Sequence, residues 1–119
     1  MLVEAAVTTV TLILLALGVI DFGRALLSYH ALANGAKMGT RYALVRGYDS
    51  GSPTNATAVS DYVKSVLGLD PALVTVATNW QDSQKAGTWV RVQVNYSFQF
   101  IIPISSITMS SHSQVVIAR

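Results

Sequence analysis

Covalent catalysis needs a nucleophile, a base or a metal set held together in space, and this sequence offers few side chains for the task. Its two histidines, His30 and His112, stand far apart along the chain. A Ser-His-Asp set is conceivable from His112, Asp82 and any of several serines, but serine is so frequent near the C-terminal end that coincidence accounts for it. There is no cysteine, so disulfides, thiolate metal ligands and a thiol nucleophile are all excluded. Glycine-rich phosphate loops, HExxH and carboxylate-rich calcium loops do not occur in the sequence. The expectation is no enzyme, with no catalytic, cofactor-binding or metal-ligating residues and no cofactor.

One side chain nevertheless demands a chemical partner. Glu4 precedes 16 residues, Ala5 to Ile20, that carry no charge. A carboxylate beside such a run is costly to desolvate, so it should take up a cation or a proton. In a stack of parallel helices the nearest cation is a neighbour's α-amino group. Pairing neutralises both charges in a dry core, and a mismatched register leaves one unpaired at a cost of about 3 to 5 kcal/mol. Glu4 would then set stagger more than add stability. Residue chemistry alone is equally consistent with Glu4 at a water interface, favouring a helix N-terminus through the macrodipole by about 0.3 to 1 kcal/mol.

The elements that would position Glu4 follow from composition and periodicity. The chain has 119 residues, of which 51% are hydrophobic and 12% charged, with a net charge of +2. That is room for one domain, too apolar for intrinsic disorder. The pI of about 9.2 and mean hydropathy of +0.45 reflect few charges, and the dispersed basic residues predict no nucleic-acid partner. As a helix, Ala5 to Ile20 spans roughly 24 Å against a hydrocarbon layer of ~30 Å. A removable signal peptide fits poorly, because no Lys or Arg precedes the run and Glu4 has the wrong sign.

Helical spacing continues through Phe22, Leu26, Tyr29, Ala33, Ala36, Thr40 and Ala43, in steps of four and three. Asp21 with Arg24 and Lys37 with Arg41 sit at helical neighbour spacings and read as a solvated face. Nothing breaks the pattern before the cluster Gly47 to Pro53. A helix from Leu2 to Val45 would be ~65 Å long, more than a chain of 12.7 kDa can enclose. Its first half must find burial in lipid or against copies of itself. Thr8, Thr9 and Thr11 are expected to bond back to their own helix. Gly18 and Gly23 could permit local unwinding or close approach of helices, or be simply weak helix positions, as could Gly35 and Gly39.

Beyond the loop, Asn55 or Thr57 caps a second helix burying Val59, Tyr62, Val63, Val66 and Leu67, ended by Gly68 and Pro71. Leu73 to Asn79 reads as a short strand and Gln81 to Gly87 as a hairpin connection. Val90, Val92, Val94, Tyr96, Phe98 and Phe100 alternate with polar residues as a two-faced strand, interrupted at Pro103. Ile107 to Ile117 supplies a third strand. Trp80 and Trp89 flank the hairpin and are expected to pair across it. Asn55-Ala56-Thr57 and Asn95-Tyr96-Ser97 match the N-glycosylation sequon, and only Asn55 falls in a loop suited to modification.

The stretch Leu2 to Arg46, with Val3-Glu4-Ala5, Ile20-Asp21-Phe22-Gly23-Arg24 and Gly39-Thr40-Arg41-Tyr42-Ala43, resembles the TadE-like pilins of the tight-adherence system, within the type IV pilin-like class. Val90 to Ile104 is similar to that family's penultimate strand. The resemblance implies a precursor cleaved by a prepilin-type peptidase just before its hydrophobic helix, held in the inner membrane, and packed by assembly machinery into an extracellular filament or its tip. In type IV pilins the matching carboxylate is the fifth mature residue, one further on than Glu4 in this numbering.

The expected fold is α+β: a long protruding N-terminal helix, a short second helix, and a three-stranded antiparallel sheet forming a head on the distal half of the long helix. Residues 1–46 form the helix, with 1–21 as membrane or filament-core stem and 22–46 packing on the head, and residues 47–119 form the head. Met1, Glu4, Val7, Leu12, Leu15, Gly18 and Phe22 are the expected assembly residues. Leu26, Tyr29, Ala33, Ala36 and Ala43 are the expected helix-head packing residues, and Asn55 is the possible glycosylation site. The expected function is a subunit polymerising with copies of itself into a Tad-type pilus at the cell surface, after residence in the inner membrane. The alternative is a monomeric membrane-anchored binding or assembly module, such as a minor pseudopilin.

Overall fold

The structure is a computed structural model that describes residues 1–51, 53–82, 84–101 and 106–117. Ser52, Ser83, Pro103, Ile104 and Arg119 fall outside them, and with them the expected interruption of the second strand at Pro103.

Helix α1, Leu2–Leu44, is continuous over 43 residues. The molecule is accordingly an elongated body of 75 × 21 × 18 Å. After a turn of 3-10 helix at Tyr48–Ser50, α2 covers Ala56–Leu67. Asn55 is its N-cap, accepting a hydrogen bond from Ala58 N at 2.8 Å, and Gly68 closes it in the left-handed region at φ 70°. Leu73, expected in the first strand, instead ends a turn of 3-10 helix begun by Pro71 and capped by Asp70. The strands are β1, Val74–Trp80, β2, Trp89–Gln99, and β3, Ser106–Val116. They form one antiparallel meander in the order β1-β2-β3.

Alternation in β2 decides which face packs. Val90, Val92, Val94 and Phe98 are buried on the inner face, while Arg91 and Gln99 point to water. Arg91 Nε and Nη2 both donate to Gln114 Oε1 across the outer face, at 3.0 and 2.7 Å. The register pairs Trp80 with Val90 and Trp89 with Val116. Trp80 and Trp89 therefore lie on opposite faces and do not stack, since a shift of one residue reverses a side chain's face. Trp89 lies instead near Arg91, whose guanidinium carbon is 5.5 Å from its ring centroid.

The core joins α1 to α2 and the sheet through Leu32, Ala36, Ala43, Val59, Val63, Leu67, Val74, Val90, Val92, Val94 and Ile117. Tyr62 stacks on Tyr42 at 4.5 Å, whereas Val66, expected inside, is exposed. On α1 the buried seam runs through Asp21, Ser28, Leu32, Gly35, Ala36, Gly39, Thr40 and Ala43. Ala36, Thr40 and Ala43 belong to the expected stripe. Leu26 and Tyr29 do not: they are 48% and 49% exposed on its flank, and Ala33 is only partly covered.

The reason is a close approach. A Cβ on Gly39 would lie 2.7 Å from Val63 Cγ2 and 3.0 Å from Val92 Cγ1, and one on Gly35 would lie 2.5 Å from Leu67 Cδ2. Small residues form the seam because α2 and β2 press against the backbone of α1 there. Gly39→Ala should destabilise the head by about 1 to 3 kcal/mol, since both facing valines are stiff at χ1. Gly18→Ala, with nothing within 4 Å of the added carbon, should leave head stability unchanged. Denaturant unfolding of the two variants followed by near-ultraviolet circular dichroism checks the contrast.

Candidate assembly stem and its junction with the head

From Ala5 to Ile20 α1 carries no charge on any side, which in a water-soluble globule is the pattern of a fully enclosed helix. Here nothing encloses it. Met1 to Ala16 are all exposed, and the most apolar 18-residue window of α1 has mean hydropathy 2.2 with 0% of it buried. The molecule's 7563 Å² of accessible surface exceeds the ~6,200 Å² expected for a compact monomer of its mass. By length and composition the helix can cross a membrane.

Met1, Glu4, Val7, Leu12, Leu15, Gly18 and Phe22 follow one another in steps of three to five residues, so they occupy one broad side of the helix. All of them are exposed, Val7, Leu12 and Leu15 each at just over 60% and Phe22 at 71%. Glu4 lies in the first turn, and among the described residues it makes no ion pair or side-chain hydrogen bond. Thr9 and Thr11 hydroxyls donate to the carbonyls of Ala5 and Val7, at 2.7 and 2.8 Å. They hide their own polarity within the helix, so the stem surface stays apolar.

The point where the stem meets the head is tied by a group that sequence reasoning placed in solvent. Asp21 is buried, at 3% exposure, not part of a solvated face. Its Oδ1 accepts from the backbone N of Ile101 at 3.0 Å and from Arg24 Nη1 at 3.1 Å. The Arg24 guanidinium also lies over the Phe98 ring, 5.2 Å from its centroid, and Phe98 meets Phe100 edge to face. The exit of β2 is thereby fastened to α1 about three turns before Leu32, where the core begins. The i,i+3 charge pair was visible in the sequence, but its third member lies 80 residues further on.

Other expected residues are dispersed. His30 is exposed on α1, and His112 is exposed on the outer sheet face opposite Gln93. Asn55 is exposed, with its carboxamide oxygen occupied as the α2 cap.

Residues 1–41 match the family model of TadE-like proteins. The match takes in Glu4, the whole apolar run, Asp21, Arg24 and both seam glycines, and it ends before the second helix. The resemblance read from those residues is thus matched by a TadE-like family model over the first 41 of 119 residues, the stem and the seam that follows it. No curated protein and no solved structure matches the chain.

Asp21→Ala removes the acceptor for Ile101 N and the partner of Arg24. With hydrogen bonds to a charged group worth about 1.5 to 3 kcal/mol each when buried, and Arg24 partly solvated, a destabilisation of about 1 to 3 kcal/mol is expected. Amide exchange at Ile101 should accelerate while that of Val92 and Val94 is less affected. Unchanged exchange at Ile101 would refute the fastening role.

Proposed function

We propose that this chain is a structural, non-enzymatic pilin-like subunit that polymerises through its N-terminal helix into a Tad-type surface filament. The observation that carries the reading is the bare apolar stem. Water will not tolerate it, and the head is too small to cover it. Burying it at ~25 cal/mol per Å² of apolar surface supplies cohesion to any bundle of such stems. Before assembly the same stem is held by the inner membrane, from which the pilus machinery draws it after processing by a prepilin-type peptidase. The assembly side is formed by Met1, Glu4, Val7, Leu12, Leu15, Gly18 and Phe22.

In this bundle Glu4 pairs with a neighbouring subunit's cation and fixes the axial step, since a wrong step leaves a charge unpaired among apolar side chains. The TadE-like match over the stem supports this reading, as does the absence of an intramolecular ion pair for Glu4 among the described residues. The outer sheet face and the exposed Tyr48, Gly51, Pro53 and Asn55 of the loop after α1, with Asn55 as the candidate glycosylation site, form the exterior.

Electron microscopy of material sheared from producing cells tests polymerisation. Uniform filaments containing this chain are expected, whereas recovery solely as a detergent-dependent monomer contradicts it. Glu4→Ala should leave head folding intact by circular dichroism and cut fibre yield severely. Wild-type fibre yield from that variant would remove the pairing role.

A further inference from the structure

The charge-free run ends at Ile20, but the exposed apolar surface does not. Phe22 and Leu27 are 71% and 72% exposed, Leu26 is about half exposed, and Ile101 and Ile107 show 51% and 43% of their surface to solvent. These residues share one level of the molecule. Ile101 is fixed beside Asp21 by its backbone hydrogen bond, and Ile107 pairs with Phe98, over which Arg24 lies. The stem-facing end of the head is thus rimmed by an apolar collar, continuous with the stem.

We infer that this collar is a lipid-contact surface, on which the base of the head sinks into the bilayer while the stem spans it. The inference rests on the reading of the stem as membrane-held before assembly. Its first support is length. Ala5 to Ile20 spans roughly 24 Å, short of the ~30 Å hydrocarbon layer, whereas Ala5 to Leu27 spans roughly 34 Å. A stem that stopped at Ile20 would have to thin the bilayer, and one that includes the collar fits with modest tilt.

Its second support is the treatment of charge inside the added segment. Asp21 would normally forbid immersion, but it is buried in protein and bonded to Arg24 and to Ile101 N. Arg24 has its guanidinium over the Phe98 ring and its side chain 45% exposed, a position that suits the headgroup layer, where an arginine keeps its charge wet. Tyr29, half exposed just beyond Leu27, stands where interfacial aromatics are enriched. Lys37 and Arg41, the next charges along α1, come later and are exposed.

The chain has no cysteine, so single-cysteine labelling is clean. Full-length Leu27→Cys, Ile101→Cys, Leu14→Cys and Asn34→Cys variants, each carrying a polarity-sensitive fluorophore, are reconstituted in phosphatidylethanolamine–phosphatidylglycerol vesicles. The vesicles contain lipids with a nitroxide quencher near the headgroup or deep in the acyl chain. Labels at 27 and 101 are expected to be blue-shifted and quenched most by the shallow nitroxide, the label at 14 by the deep one, and the label at 34 by neither. If 27 and 101 behave like 34 while 14 is deeply quenched, the collar is overturned and the membrane stem survives. If 14 is also unquenched, the membrane reading itself fails. Protection of 27 and 101 in assembled fibres alone would make the collar a contact between subunits and overturn the lipid assignment.

Discussion

Everything in this molecule answers to one constraint: the apolar surface of a rod ~65 Å long cannot be covered by a head that is about 20 Å across in its two shorter dimensions. A 43-residue helix has two jobs that pull its sequence in different directions. Over its first half it carries almost no charge and is left uncovered by the head. Over its second half it must present one seam to its own head and polar residues elsewhere. The division shows in the burial pattern, which is empty up to Ala16 and periodic from Asp21 onward.

The seam succeeds by removing bulk. Gly35, Ala36, Gly39 and Ala43 let Val63, Leu67 and Val92 pack against the backbone of α1, so a small head gains extensive contact with one helix. Thr40 adds a polar stitch to β3 through the Ser113 hydroxyl at 3.2 Å. At the stem end the fastening changes character, from close packing to the Asp21 carboxylate gripping Ile101 and Arg24. Together they hold the head at one height and one rotation relative to the stem.

Much of this was legible from residues alone. The alternation of Val90 to Phe98 identified the central strand and its wet face, and Gly68 together with the pair Asn55 or Thr57, of which Asn55 is the cap, marked the limits of α2, because those signals depend on near neighbours. What was missed depended on distant ones. The stripe through Leu26 and Tyr29 followed helical spacing alone and meets the seam at Ala36, Thr40 and Ala43, but spacing does not show where the head needs small side chains, so the seam also takes in the adjacent Ser28, Gly35 and Gly39. Asp21 looked like a surface charge because its acceptor role becomes visible only when Ile101 arrives from the far end of the chain. The two tryptophans were separated by a register that the hairpin loop sets. The TadE-like match names the stem and says nothing of the head beyond residue 41.

The central claim is that the stem requires a covering the chain does not possess. Sedimentation velocity of the purified full-length chain, with detergent present and after its removal, tests this most directly. The account predicts a monomer in detergent that converts to polymer or precipitate when detergent is withdrawn. A compact, detergent-free monomer that remains soluble and binds no lipid would contradict it.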